Sequence, residues 1–234
     1  MTPMLPFGTV IAVLGAESTG KTELARAIAA RLARRGVAVR LVPEYLREWC
    51  DLEQRTPRAD EQAAIAVEQT RRIAAAAARG VAIADTTAVM TAVYSDLLFS
   101  DTSLYADALA AQRGYAVTLL TALDLPWVAD GLQRDGPQVR EPVDAAVRAT
   151  LQRAAVPYAV VHGNGPQRLA SAWNAITRTA EVEDSPDAAS ATALNLRDPR
   201  DPPTAASGWR WSCDKCSDPA CEHRLFTDLV ASRR

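Results

Sequence analysis

The chain has 234 residues, enough for one domain of ordinary size with a small appendage. Hydrophobic residues make up 48% and charged residues 23% of the sequence, a globular composition that excludes a fibrous or wholly disordered chain. Its formal net charge of -2 is not the basic excess that a general nucleic-acid or anionic-membrane binder needs. No apolar run approaches the roughly 18–20 residues that span a bilayer. The N-terminus also lacks the cationic segment of a secretory signal, so we expect a cytoplasmic protein that binds neither nucleic acids nor membranes.

Strands and helices are predicted to alternate along residues 1–180. Short apolar runs predict strands at residues 8–14, 37–43, 81–84, 115–121 and 157–161. Apolar stripes and helix-ending glycines predict helices at residues 21–35, from 45, at 57–79, at 87–114 with a break near Ser100, at 141–155 and at 167–179. Strict alternation favours a parallel sheet covered on both faces by right-handed crossovers. We therefore expect an α/β three-layer sandwich.

Two further segments follow this domain. Residues 181–208 contain no aromatic residue and only scattered aliphatic ones, so they bury too little apolar surface to offset the entropy of ordering. We interpret them as a disordered linker. Aromatic residues return in residues 209–234, together with three of the four cysteines.

The segment from Gly15 to Thr22 fits the phosphate-loop pattern G-x-x-x-x-G-K-[ST] between a predicted strand and a predicted helix. The two glycines allow backbone N–H groups to wrap a phosphate, and the helix start presents further amides to the same anion. Lys21 would supply a positive charge and Thr22 a hydroxyl ligand for Mg²⁺. The predicted ATP-binding residues are Gly15, Ala16, Glu17, Ser18, Thr19, Gly20, Lys21 and Thr22.

Asp85 ends the third predicted strand. An acidic residue at that position commonly orders Mg²⁺ through water beside a phosphate loop. It could equally cap the helix that begins at Thr86 or Thr87, and the two roles are compatible.

Two other clusters of charged and aromatic residues follow strands at the same edge of the sheet. Open α/β sheets bind their ligands at this edge. One runs from Glu44 to Glu48 after the second strand, and the other from Asp124 to Arg134 after the fourth. The segment from Asp124 to Arg140 is rich in Gly, Pro, Asp and Arg, which predicts a mobile basic loop. Arginines on such a loop can neutralise charge on a transferring phosphoryl group.

Together these segments resemble the ribosylnicotinamide kinase domain of NadR-type proteins, most specifically in Pro126-Trp-Val-Ala-Asp-Gly-Leu132. The resemblance covers roughly residues 8–178. It implies a P-loop fold of the kinase class with strand order 2-3-1-4-5, and ATP-dependent phosphorylation of nicotinamide riboside to nicotinamide mononucleotide in NAD salvage. NadR-type proteins also carry an upstream adenylyltransferase domain. This sequence begins almost at the phosphate loop, so we expect the kinase activity without the adenylyltransferase.

The predicted catalytic residues are Lys21, Glu44, Asp85, Arg134 and Arg140. Either Glu44 or Asp85 would orient the 5′-hydroxyl of the acceptor and accept its proton; we favour Glu44, because Asp85 has a competing Mg²⁺ role.

The predicted substrate-binding residues are Glu44, Tyr45, Arg47, Trp127 and Asp130. The two aromatic rings offer faces for the cationic pyridinium ring, and the carboxylates suit that cation and the ribose hydroxyls.

Each of these residues also has a plainer interpretation. Trp127 could simply pack beneath its loop, Arg47 and Glu48 could form a surface ion pair, and Arg134 and Arg140 could be solvated charges. Cys50 fits a small buried hydrophobe better than a nucleophile. Alternative functions are a kinase of another nucleoside or of a mononucleotide, and an ATP-gated regulator that recruits a protein partner through its tail.

The C-terminal tail carries four metal-ligand residues within eleven positions, namely Cys213, Cys216, Cys221 and His223. Three thiolates and one imidazole suit a closed tetrahedral Zn²⁺ site of the structural kind, whereas an iron–sulfur cluster and free thiols are the alternatives. We therefore predict a small zinc-binding tail.

Overall fold

A computed structural model describes residues 5–128 and 137–183. Within these residues five strands form one sheet: β1 Val10–Leu14, β2 Val39–Val42, β3 Val81–Asp85, β4 Val117–Thr121 and β5 Ala159–Val161. Every neighbouring pair is parallel, and the strand order is β2-β3-β1-β4-β5. The predicted α/β architecture and the strand order implied by the resemblance are both confirmed.

Helices connect the strands, as parallel pairing requires. They are α1 Lys21–Ala33, α2 Tyr45–Glu53, α3 Gln62–Ala77, α4 Ala88–Phe99, α5 Tyr105–Arg113, α6 Arg140–Arg153 and α7 Gly165–Glu183. The single helix predicted over residues 57–79 is wrong at its start, because a short 3₁₀ turn at Ala59–Glu61 precedes α3. The predicted boundary at residue 180 falls inside the last turn of α7.

Alternate residues of the central strand β1 face opposite layers of helices. Ile11 and Val13 pack with Leu24 and Ile28 of α1 and with Ile176 of α7 in one buried cluster. On the other face, Leu14 packs against buried residues of α4 and α6, and Val10 packs near Ile73 of α3. The sheet is thus the middle of three layers. Because both faces of the sheet are buried, β1, β3 and β4 consist of apolar residues except Asp85, Thr118 and Thr121.

The strand order reverses at β1, which lies between β3 and β4. In open α/β sheets the loop after such a strand borders a crevice at the carboxyl edge of the sheet. Val13 pairs with Asp85 in the ladder between β1 and β3. The register therefore brings the loop after β1 and the acidic end of β3 to the same place.

Candidate active site

The loop between β1 and α1 has the conformation of a phosphate cradle. Gly15 has a φ of 146°, and a Cβ atom there would collide with the Thr121 hydroxyl at the end of β4. Gly20 precedes the first residue of α1 with a φ of 75°. Both angles lie in the left-handed region that favours glycine. The predicted phosphate-loop backbone is therefore present, with the N-terminus of α1 open toward it.

Hydroxyl groups fasten this loop to the sheet. Thr19 is fully buried, and its hydroxyl donates to the Ala16 carbonyl at 2.7 Å. The Thr121 hydroxyl lies 2.7 Å from the Thr19 hydroxyl and 3.1 Å from the Leu14 carbonyl oxygen. These bonds hold the loop in shape without occupying the backbone N–H groups at the start of α1.

Lys21 lies over the loop. Its ammonium group donates to the Ala16 carbonyl at 2.8 Å, a contact that a bound phosphate oxygen could replace at little cost in geometry. Lys21 and Thr22 also line a cavity of about 640 Å³ in front of the loop, together with Ser18, Thr19, Gly20, Glu23, Arg26, Arg47, Leu125, Pro126 and Val128.

Asp85 ends β3 at the carboxyl edge of the sheet and is only 3% exposed. Its Oδ1 atom is buried without a hydrogen-bond partner among the described residues. A buried carboxylate oxygen in that state costs free energy unless a ligand or ion supplies a partner. The alternative capping role falls to its neighbour, since Thr87 accepts a hydrogen bond from the Val89 amide at the start of α4.

Glu44 follows β2 and belongs to the same group of charges. Burial raises the pKa of its carboxyl above the ordinary value of 4.5, and Asp85 and Glu17 raise it further, whereas Lys21 and Arg47 act in the opposite direction. Arg47 lies 3.6 Å from it. The structure thus brings Glu44, Asp85, Lys21 and Arg47 together, as predicted from their positions at strand ends.

A buried glutamine of α3 holds Glu44 in place. Gln69 is 2% exposed, and its Oε1 atom accepts the Tyr45 amide at 2.7 Å. Its Nε2 atom donates, at 3.4 Å each, to the carbonyls of Pro43 and Thr86. Gln69 therefore clamps the backbone on both sides of Glu44 and ties it to the residue after Asp85.

Sequence reasoning missed Gln69, although it left a signal. Ile65, Gln69 and Ile73 follow one another at four-residue spacing on the buried face of α3. A polar side chain in such an apolar stripe needs hydrogen-bond partners from a neighbouring element, and the loops after β2 and β3 supply them. Arg26, which lines the cavity, was missed as well.

The segment after β4 leans against the phosphate loop. The Ser18 hydroxyl donates to the Val128 carbonyl at 3.1 Å and accepts the Val128 amide at 2.8 Å. Leu125 lies close to Gly20, and its carbonyl accepts a hydrogen bond from Arg140 Nη1 at 2.9 Å. One wall of the cavity thus consists of Leu125, Pro126 and Val128, as their predicted place at the strand edge indicates.

Arg140 differs from its expected setting. It begins α6 rather than lying in the basic loop, and it is 7% exposed, so the solvated-charge interpretation is wrong. Its Nε and Nη2 atoms are buried without partners among the described residues. Predicted site residues Asp130 and Arg134 lie outside those residues, as do Cys213, Cys216, Cys221 and His223, so these assignments stay predictions.

The two aromatic residues predicted to bind substrate, Tyr45 and Trp127, are not among the described residues that line the cavity. The Tyr45 ring lies against the Arg72 guanidinium, 4.2 Å from ring centroid to Cζ. Trp127 is half-buried, and its indole N–H has no partner among the residues described. The plainer interpretation of Arg47 and Glu48 as an ion pair is wrong, because Arg47 pairs with Glu44, and Glu48 pairs with Arg72.

Cys50 is 6% exposed, and burial raises the pKa of its thiol to about 12. A thiol with that pKa stays protonated at neutral pH and is a poor nucleophile. This agrees with a packing role.

A family model described as an AAA domain (AAA_28) matches residues 10–168, which include every element from β1 to the start of α7. The chain belongs to this AAA domain family. No curated protein matches the sequence. Among solved structures, thymidylate kinase from Ehrlichia chaffeensis has a TM-score of 0.51 and 14% identity, covering 68% of this chain and 89% of that one. At this identity the likeness concerns the fold.

Membership of the AAA domain family, together with a phosphate loop of this geometry, implies a nucleotide bound with Mg²⁺. Across residues 5–128 and 137–183, no cluster of three or more His, Cys, Asp or Glu side chains could hold a metal ion. No helix in the same residues is long and apolar enough to cross a membrane.

Proposed function

We propose that this AAA-domain protein is an ATP-dependent kinase that phosphorylates the 5′-hydroxyl of a nucleoside, with nicotinamide riboside as the acceptor and nicotinamide mononucleotide as the product. One observation carries the proposal: a mostly buried carboxylate, Glu44, is held beside Lys21 and Asp85, and its pKa is raised. A phosphoryl transfer to a hydroxyl needs a group that orients the hydroxyl and accepts its proton, and Glu44 is the carboxylate that the loop after β2 supplies for this role.

The donor side of the site fits Mg·ATP. The glycine-framed loop and the start of α1 offer N–H groups, Lys21 offers a positive charge, and Thr22 with Asp85 offers oxygen ligands. When bound, the metal neutralises charge on the phosphates. A cation near Asp85 would also give its buried Oδ1 atom the partner that it lacks.

On the acceptor side, Glu44 would take the proton of the hydroxyl while that oxygen bonds to the γ-phosphorus of ATP, and the bond from this phosphorus to the leaving ADP breaks. A raised pKa makes the ionised carboxylate a stronger base. Gln69 keeps Glu44 from turning away, because both backbone neighbours of Glu44 are bonded to it. An acidic site of this kind favours a cationic acceptor such as nicotinamide riboside over an anionic one.

The test is ATP consumption by the full chain with a panel of nucleosides and mononucleotides that includes nicotinamide riboside. Stimulation by nicotinamide riboside, with nicotinamide mononucleotide as the product, is expected. Glu44→Gln should lower kcat about 100-fold and leave Mg·ATP affinity unchanged, whereas Asp107→Asn, an exposed substitution on α5, should change neither. An unchanged kcat in Glu44→Gln removes the residue from this role, and a panel without any stimulating acceptor favours an ATP-gated regulator instead.

A second candidate is a kinase of mononucleotides. Arg26 and Arg47 line the cavity in front of the phosphate loop, and an acceptor phosphate is commonly held by arginines. The fold likeness to thymidylate kinase is compatible with this acceptor class. Stimulation by a mononucleotide, lost on Arg47→Gln, would favour it over the nucleoside.

A further inference from the structure

The side chain of Glu17 is the most unusual group in the phosphate loop. It is 9% exposed and accepts a hydrogen bond from the Tyr94 hydroxyl of α4 through Oε1. Its Oε2 atom is buried with no hydrogen-bond partner among the described residues. A carboxylate oxygen buried in this way normally has a donor, so its partner is missing.

ATP is a poor candidate for that partner. A phosphate loop binds its anion through backbone N–H groups and a lysine, and a carboxylate pointed at the phosphates would repel them. Consistent with this, the described lining of the cavity in front of the loop contains residues 18–22 but not Glu17. The backbone of Glu17 serves the loop while its side chain is turned elsewhere.

The loops that carry Glu17, Glu44 and Asp85 meet at the carboxyl edge of the sheet. Val13 of β1 pairs with Asp85, and Gln69 bonds both the Pro43 carbonyl before Glu44 and the Thr86 carbonyl after Asp85. The negative charges of Asp85 and Glu17 are both close enough to act on Glu44, and Asp85 and Glu17 each keep one buried oxygen without a partner. Tyr94 reaches Glu17 from α4, the helix that begins three residues after Asp85. Glu17 and Glu44 therefore belong to the same edge of the sheet, where we assign the acceptor's reacting hydroxyl.

We propose that Glu17 binds the acceptor: Tyr94 fixes its carboxylate, and the unpartnered Oε2 atom accepts a hydrogen bond from a secondary hydroxyl of the acceptor sugar. The inference rests on the proposed function. It adds that the acceptor is a ribonucleoside. Glu17 accepts a hydrogen bond from its 2′- or 3′-hydroxyl, while Glu44 takes the proton of the 5′-hydroxyl. A site built to bond a hydroxyl discriminates strongly against an analogue that lacks it, because its polar group is then left unpaired.

The test is calorimetric titration of the full chain with nicotinamide riboside and its 2′-deoxy and 3′-deoxy analogues, in the presence of Mg²⁺ and a non-hydrolysable ATP analogue. Glu17→Gln should raise the Kd for nicotinamide riboside about 10- to 100-fold, the effect of losing a hydrogen bond to a charged group. The Kd of the ATP analogue should change less than about twofold. On the unchanged protein, one of the two deoxy analogues should bind more weakly than nicotinamide riboside by the same factor. On Glu17→Gln, that analogue and nicotinamide riboside should bind about equally.

Melting temperatures distinguish an acceptor-binding role of Glu17 from a purely structural one. Removing a buried carboxylate with an unpartnered oxygen relieves a cost, so Glu17→Gln should melt at the same temperature as the unchanged protein or higher. Tyr94→Phe should raise the Kd for the acceptor less than Glu17→Gln does, and Asp107→Asn should leave that Kd unchanged. A lower melting temperature with an unchanged acceptor Kd would make Glu17 a structural brace and overturn the inference.

Failure of the proposed acceptor is distinguishable from failure of this inference. If another ribonucleoside binds in place of nicotinamide riboside, that compound and its deoxy analogues give the same comparison, and only the choice of base is wrong. If the variant weakens the ATP analogue as much as the acceptor, or if no ribonucleoside binds at all, Glu17 does not bind an acceptor sugar.

Discussion

Carboxylates occupy two opposite settings in this protein. Near the protein surface, Glu61 in the 3₁₀ turn before α3 and Glu68 in α3 are each bonded to arginines, and these bonds lower the pKa of both carboxyls to about 2. At the carboxyl edge of the sheet, Glu44 has a raised pKa, and Glu17 and Asp85 keep buried oxygens without partners. Partly exposed carboxylates that are paired with arginines stabilise the scaffold a little, whereas buried carboxylates that lack partners point to a function that needs them.

The largest effect on turnover is expected from Lys21, the positively charged residue near the buried carboxylates. Lys21→Met keeps the length of the side chain but removes the charge that faces both the phosphate loop and Glu44. ATP turnover should fall at least about 100-fold, because a charge that stabilises the transferring group is lost. The measurement is steady-state ATP consumption with the acceptor present. Near-normal turnover in a folded variant would show that the loop does not bind a phosphate that reacts.

Next comes the pH dependence set by Glu44. Its base form is needed and its pKa is raised, so kcat/KM should rise with pH along an acid limb whose midpoint lies above 4.5. Glu44→Gln should remove that limb from its residual activity. A limb centred at or below 4.5 would contradict the raised pKa.

The same group affects stability with a definite sign. A raised pKa means that the folded state holds the proton more tightly than the unfolded state, so the contribution of Glu44 to stability falls as pH rises from about 4.5 through the folded value. The melting temperature of Glu44→Gln should therefore gain on that of the unchanged protein over this pH range. Melting curves at a series of pH values check the sign.

A smaller effect is expected from the residue that positions Glu44. Gln69→Leu leaves the Tyr45 amide without its acceptor, which should cost about 1–3 kcal/mol of stability and lower kcat about 10-fold through misplacement of the base. The KM for ATP should not change. Gln62→Leu is the matched control, since Gln62 lies on the same helix and is also 2% exposed. If both variants lose turnover equally, Gln69 has no specific positioning role.

The sequence predicted what is encoded locally. The phosphate loop joins a buried strand to a helix within a few consecutive residues, and its glycines have the conformation that the motif requires. Apolar runs likewise predicted β1, β3 and β4 within about two residues of their observed ends, since a strand buried on both faces has few other residues available.

What sequence reasoning missed depends on contacts between distant residues. Tyr94 bonds Glu17 across 77 positions, and Gln69 reaches Tyr45 across 24. Arg140 is predicted to lie in a loop because the segment before it is rich in Gly, Pro, Asp and Arg. It instead begins α6, where it is buried and donates to the Leu125 carbonyl. Periodicity indicates which face is buried but not which polar side chain meets which partner.

The smallest effect is expected at the carboxylates near the protein surface, and it tests the other half of the comparison. Glu68 accepts hydrogen bonds from Arg71 and Arg72 at 2.6 to 2.8 Å, but solvent screens such exposed pairs. Glu68→Gln should leave turnover unchanged and shift the melting temperature by no more than the error of the measurement. In the unchanged protein, NMR titration in low salt should place the pKa of the Glu68 carboxyl below its ordinary value of 4.5, and added salt should move that pKa upward. A variant that loses activity would mean that the paired face of α3 is coupled to Glu44 through the helix, and the division between scaffold and functional carboxylates would then fail.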